Sequence, residues 1–169
     1  MDMKKLFALI MIFSFITSFS KANSLELGSH APQVKVLTDQ STTLDLGEAL
    51  STGTTLVFFY PKAMTPGCVK QACSLRDGWD ELQARDVNIL GISSDTAKTQ
   101  AQFRNKYTLP FTLLADTEGK IADAFGKGRW SRQAYLFKDG VLVWRDLKAA
   151  TSKQATEVLA ALDDLGPES

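Results

Sequence analysis

The chain is poor in metal-binding side chains, with one histidine and two cysteines in 169 residues. A closed Cys/His zinc centre needs four ligands and is excluded, so a metal site would have to lean on carboxylates. Charge of one sign is also lacking: 19 Lys+Arg face 19 Asp+Glu, a formal net charge of zero. That balance argues against nucleic acid, whose binding rests on neutralising phosphates. With 22% charged and 44% hydrophobic residues the composition is that of a folded chain, long enough to bury a core without staples. There is no repeat, low-complexity tract or Pro/Gly/Ser-rich linker, which leaves one domain. Long apolar runs are missing too, except one at the N-terminus.

That run follows Lys4-Lys5, spans Leu6 to Phe19 with only hydroxyl residues interrupting it, and ends at Ser20-Lys21-Ala22. A positive n-region, an apolar h-region and small residues at −3 and −1 describe a secretory signal cleaved after Ala22, or after Ser20 as the near alternative. The run is shorter than the ~20 residues a spanning helix needs, which places the uncleaved-anchor reading second. The predicted mature domain is 23–169, exported to the periplasm and free of the membrane once processed. Removing Lys4, Lys5, Lys21 and Asp2 from 19 basic and 19 acidic residues leaves 16 against 18. Outside the cytosol a disulfide between the two cysteines becomes plausible.

Apolar periodicity over the rest of the chain alternates between strand and helix. Val34–Leu37 and Thr42–Leu46 predict an N-terminal hairpin, Thr54–Tyr60 and Val87–Ile92 buried strands, and Phe111–Leu114 a short one. Ala134–Lys138 and Val141–Arg145 flank Asp139-Gly140, a hairpin turn signal. Helices are predicted over 66–84, 96–107 with Ser94 or Asp95 as N-cap, 120–125 ended by Gly126, and 152–165 ended by Gly166-Pro167. This order implies an α/β fold: a central mixed sheet flanked by helices and preceded by the hairpin. His30 is expected at the surface or in packing, and Trp79, Trp130 and Trp144 in packing. Lys70 and Gln71 are consistent with facing either pocket or solvent.

Chemistry concentrates in the segment from Tyr60 to Cys73. A buried strand ends, a Pro-containing loop turns, and a helix begins with Thr65 as N-cap and Pro66 at the first helical position. Cys68 is then the third helical residue. The unpaired N–H groups and dipole of a first turn stabilise an anion there, which suits a reactive thiolate and not an inert core cysteine. Cys73 lies five residues on. In an intact helix that spacing separates Cα atoms by ~8.6 Å, beyond the ~4.4–6.8 Å a disulfide spans. Either the helix unwinds to let them bond, as in a catalytic or sensing pair, or the segment is locally non-helical and holds a permanent disulfide.

Several segments carry a resemblance. Pro61-x-x-x-Thr65-x-x-Cys68 is similar to the peroxiredoxin active-site motif. Phe59-Tyr60-Pro61-Lys62 and Gln71-Ala72-Cys73-x-Leu75-Arg76-Asp77 resemble the bacterioferritin comigratory protein, or peroxiredoxin Q, subfamily. So do Leu90-Gly91-Ile92-Ser93-x-Asp95, Phe111-Thr112-Leu113-Leu114-x-Asp116 and Arg132-x-x-Tyr135-Leu136, and the likeness runs over about residues 25–162. It implies a thioredoxin-like fold and a monomeric thiol peroxidase that reduces hydrogen peroxide and organic hydroperoxides without a cofactor. Cys68 would be peroxidatic and Cys73 resolving. Thr65 and Arg132 would bind peroxide and stabilise the transition state, and Pro61 would shield the thiolate. Arg129 and Arg145 are the neighbours to distinguish from Arg132. The partner implied is a thioredoxin-like reductant, and export would require one outside the cytosol. The stretch Gly126–Ser131 is shorter than in many relatives, so substrate preference is not implied. The alternatives are an exported thiol-disulfide exchange protein and a non-enzymatic domain with a structural Cys68–Cys73 disulfide.

Overall fold

A computed structural model describes residues 24–128 and 130–166; the expected signal segment, 1–22, and Arg129 lie outside the described residues. In chain order the elements are β1 (Lys35–Thr38), β2 (Thr43–Asp45), α1 (Leu46–Ala49), β3 (Thr54–Phe59), α2 (Pro66–Asp77) and α3 (Trp79–Gln83). They continue as β4 (Val87–Ser93), α4 (Ala97–Tyr107), β5 (Thr112–Ala115), α5 (Lys120–Ala124), β6 (Gln133–Lys138), β7 (Val141–Asp146) and α6 (Gln154–Leu165).

The strands form one seven-stranded sheet in the order β2-β1-β5-β4-β3-β6-β7. The central β3, β4 and β5 are parallel, and β6 joins β3 antiparallel. The hairpin β1–β2 does not merely precede the sheet, because β1 pairs antiparallel with β5 and so extends it. All six residues of β3 are buried, as a strand covered on both faces requires. Its period of two sends Leu56, Phe58 and Tyr60 to one face, under α2, α3, α4 and α6. Val57 and Phe59 go to the other, with Leu46 of α1 and Ile121 of α5.

Three expectations need correction. The helix predicted over 66–84 breaks at Gly78 into α2 and α3. A Cβ at Gly78 would stand 2.7 Å from Ala155 Cβ, so the glycine admits α6 against α2 at that point. The N-cap of α4 is Thr96, whose side chain accepts from Thr99 N–H, and neither Ser94 nor Asp95; Asp95 is engaged elsewhere. Trp130 is 69% exposed and lies outside the core. Trp79 and Trp144 do pack against the core, and exposed His30 forms a backbone bridge to Val141.

Candidate active site

The loop from β3 to α2 is pinned from below. Tyr60 is wholly buried at the end of β3, and its hydroxyl donates to Gln100 Oε1 on α4. Burial pushes the phenol far above its ordinary range, so Tyr60 stays a neutral donor. Gln100 Nε2 donates in turn to Ser93 Oγ at 2.9 Å and to the Leu114 carbonyl at 2.8 Å. Ser93 Oγ donates to Asp95 Oδ2, and the same oxygen accepts from Ala63 N–H, both at 2.7 Å. The carboxylate therefore fixes the middle of the loop that carries half-buried Pro61 and leads to Thr65.

Thr65 is the N-cap by position, but its side chain makes no capping hydrogen bond. Its hydroxyl instead donates to the Lys62 carbonyl at 2.8 Å, closing the loop on itself. Pro66 at the first helical position has no N–H to give. The amides of Gly67 and Cys68 thus have no acceptor within the helix or from the cap, and both belong to the turn that carries Cys68. Cys68 is 1% exposed.

Register brings the cation to the thiol. Phe59 pairs with Gln133 across β3 and β6, so Arg132 falls beside the start of the loop. Its carbonyl accepts from Ala149 N–H at 3.1 Å, which holds the backbone there. Arg132 Nη2 donates to Cys68 Sγ at 3.5 Å, and Nη1 donates to Gln71 Oε1 at 2.5 Å. A Cβ at Gly67 would lie 3.1 Å from Arg132 Nη2, so a side chain there would crowd the guanidinium. Arg145 is engaged far away, with Glu26 Oε2 at 3.0 Å and with the carbonyls of Ser24 and Leu25.

Cys68 and Arg132 are therefore brought together, with Thr65 at the head of the same helical turn, and Cys73 is not in contact with them. Both cysteines are free, and α2 runs unbroken through them from Pro66 to Asp77. The ~8.6 Å Cα separation of an ideal helix applies, and the two cannot bond without unwinding its first turns. A locally non-helical segment with a standing disulfide is not what forms.

One residue that the sequence left open is decided here, and two escaped the sequence reading. Gln71, one turn beyond Cys68 and 0% exposed, faces the site, whereas Lys70 is exposed. The i,i+3 spacing from Cys68 held that signal. Gln154, on α6, accepts from Gln71 Nε2 at 2.8 Å across 83 residues of chain, and no local pattern announces it. Gly67 would have been found only by knowing where Arg132 arrives.

Residues 27–145 match the AhpC/TSA family. Peroxiredoxin Bcp of Escherichia coli K12 is 39% identical over 121 residues, covering 70% of this chain and 76% of that protein. Peroxiredoxin Bcp of Bacillus subtilis is 34% identical over 156 residues, 84% of this chain and 98% of that one. Among solved structures, the Xanthomonas campestris bacterioferritin comigratory protein, described for its alkyl peroxide reduction activity, superposes with a TM-score of 0.74 at 26% identity. That superposition covers 85% of this chain and 99% of the other. The mixed sheet is accordingly of the thioredoxin-like peroxiredoxin kind. The chain belongs to the AhpC/TSA family and is a peroxiredoxin of the Bcp/peroxiredoxin Q type.

Proposed function

We propose that the protein is a two-cysteine thiol peroxidase that reduces hydrogen peroxide and organic hydroperoxides to water and alcohols. The observation that carries this reading is the Arg132 guanidinium 3.5 Å from the buried Cys68 sulfur, in a helical turn whose amides are uncapped. The Cys68 thiolate attacks the terminal peroxide oxygen, the O–O bond breaks, and alkoxide leaves to take up a proton. Sulfur loses two electrons and becomes a sulfenic acid. Negative charge moves from sulfur to the departing oxygen, and a fixed cation with a fork of donors stabilises both ends of that shift. The Thr65 hydroxyl hydrogen is given to Lys62, so its oxygen is available to accept from the peroxide O–H. The Cys68 amide orients the peroxide with it, and Pro61 keeps bulk water away.

Cys73 then attacks the sulfenic sulfur once α2 unwinds; the S–S bond forms, the S–O bond breaks, and water leaves. A thioredoxin-like dithiol returns two electrons by exchange. In the exchange-protein alternative Arg132 has no oxyanion to serve, and the standing-disulfide alternative conflicts with the unbroken helix. The test is peroxide consumption with a dithiol reductant. Cys68→Ser is expected to abolish it, and Cys73→Ser to permit one oxidation of Cys68 without turnover on a thioredoxin-like donor. Full activity in Cys68→Ser overturns the reading.

The Lys4-Lys5 and Leu6–Phe19 pattern supports export and therefore a reductant outside the cytosol, acting on a monomer. A periplasmic protein beginning at Asn23 is expected by N-terminal mass mapping. A soluble cytoplasmic protein beginning at Met1 contradicts export.

A further inference from the structure

Gln154 is an unexpected residue for its place. It sits in the first turn of α6, 0% exposed, where an apolar side chain would fill the space without needing partners. Its oxygen accepts from Gln71 Nε2 at 2.8 Å, while its own Nε2 has no hydrogen-bond partner. A buried amide with an orphaned donor costs stability relative to an apolar residue of the same shape. Packing alone would not place glutamine here, so the single bond it makes is the feature to explain.

That bond ends a chain of side chains running Gln154, Gln71, Arg132, Cys68. The next residue along α6 adds a second tie: Ala155 N–H donates to Ser74 Oγ at 3.2 Å. The start of α6 therefore grips α2 at Gln71 and Ser74, on either side of Cys73. Cys73 can reach Cys68 only if this stretch of α2 unwinds, and unwinding breaks the grip.

We propose that Gln154 is a positioning residue which, through Gln71, holds α2 closed and so sets how fast Cys73 resolves oxidised Cys68. The proposal rests on the peroxidase reading. The Cys68 sulfenic acid has two competing fates. Cys73 attacks it, forming S–S with loss of water, which requires the open helix. A second hydroperoxide transfers an oxygen to it, breaking O–O with loss of water or alcohol and giving the sulfinic acid, which requires the closed site. The Gln154–Gln71 bond biases this partition toward the closed form.

The test uses the reduced mature enzyme, mixed with hydrogen peroxide, quenched at intervals with an alkylating agent and read by mass spectrometry. Gln154→Met keeps the volume and removes the acceptor. It is expected to speed disulfide closure about fivefold, the factor that one ordinary net hydrogen bond carries, and to lower the sulfinic yield at high peroxide to match. In a Gln71→Met background the Gln154→Met change is expected to do nothing further, an outcome that a merely structural role would not produce. Ser74→Ala, which removes the second tie alone, is expected to speed closure by less and supplies the same readout should Gln154→Met fold poorly. Closure and sulfinic yield at wild-type values in both Gln154→Met and Ser74→Ala overturn the proposal, as does an undiminished Gln154→Met effect in the Gln71→Met background. Wild-type protein in which Cys68 is not oxidised overturns the peroxidase reading and the proposal with it, whereas Cys68 oxidised with closure unmoved by the variants overturns the proposal alone.

Discussion

On one face of the sheet Phe59, Phe125, Tyr135 and Phe137 meet edge to face with ring centroids 4.8 to 5.9 Å apart. On the other, three glutamines with no exposed surface, Gln71, Gln100 and Gln154, thread between the helices and end at Tyr60, Arg132 and each other. The apolar burial of such rings is non-directional and releases its energy only when much of the face comes apart. Amide bonds are directional, individually modest in net worth, and can open one helix while the sheet stays whole. Rings pack on this second face too, Phe58, Tyr60, Phe103 and Phe111 among them, but it also carries the amide ties between α6 and α2 that have to open in the proposed cycle for Cys73 to meet Cys68.

The comparison is broken most easily on the face that holds Phe125. Phe125→Ala removes a ring with 0% exposure that touches three others. Urea denaturation is expected to show a loss of about 3–5 kcal/mol, with the rate constant of Cys68 oxidation unchanged while the protein remains folded. A tenfold slower oxidation without unfolding would mean that the two faces are not separable. Arg132→Met is the reverse case. Oxidation of Cys68 by hydrogen peroxide is expected to slow by about 10²–10³, the scale of one lost transition-state donor. The denaturation midpoint should move far less than in Phe125→Ala.

The smallest effect sharpens the comparison, because each face has its own buried tyrosine. Tyr60→Phe leaves Gln100 Oε1 without its donor and is expected to cost about 1–3 kcal/mol at neutral pH. Burial raises Tyr60 well above the usual phenol range, and it pushes Tyr135 up to about 12. The folded state therefore holds both protons more tightly than the unfolded chain, which releases them near ~10. Stability is complete below that pH and falls as pH rises above it. Melting between pH 8 and pH 11.5 is expected to show a smaller alkaline loss in Tyr60→Phe than in wild type, with the Tyr135 share remaining.

Much of this was legible in the chain. The run Thr54–Tyr60 reads as a doubly covered strand because β-branched and aromatic residues fill it without alternation, and Thr65-Pro66 reads as a helix start because only that place tolerates proline's missing donor. Cys68 in the third helical position followed directly. The break at Gly78 was not legible, since its cause is Ala155, 77 residues away. For the same reason Thr65 was assigned a cap that its hydroxyl does not make: the Lys62 carbonyl competes for it only once the loop has closed. Gln154 was invisible because a glutamine at the start of an amphipathic helix is ordinary until Gln71 is placed opposite.

The central claim is that Cys68, in an uncapped first turn beneath Arg132, is the residue that reduces peroxide. Stopped-flow oxidation of the reduced protein by hydrogen peroxide tests it most directly. The account predicts a second-order phase orders of magnitude faster than free cysteine, absent in Cys68→Ser and retained in Cys73→Ser. Wild-type protein that reacts no faster than free cysteine, or Cys68→Ser that keeps the fast phase, would contradict it.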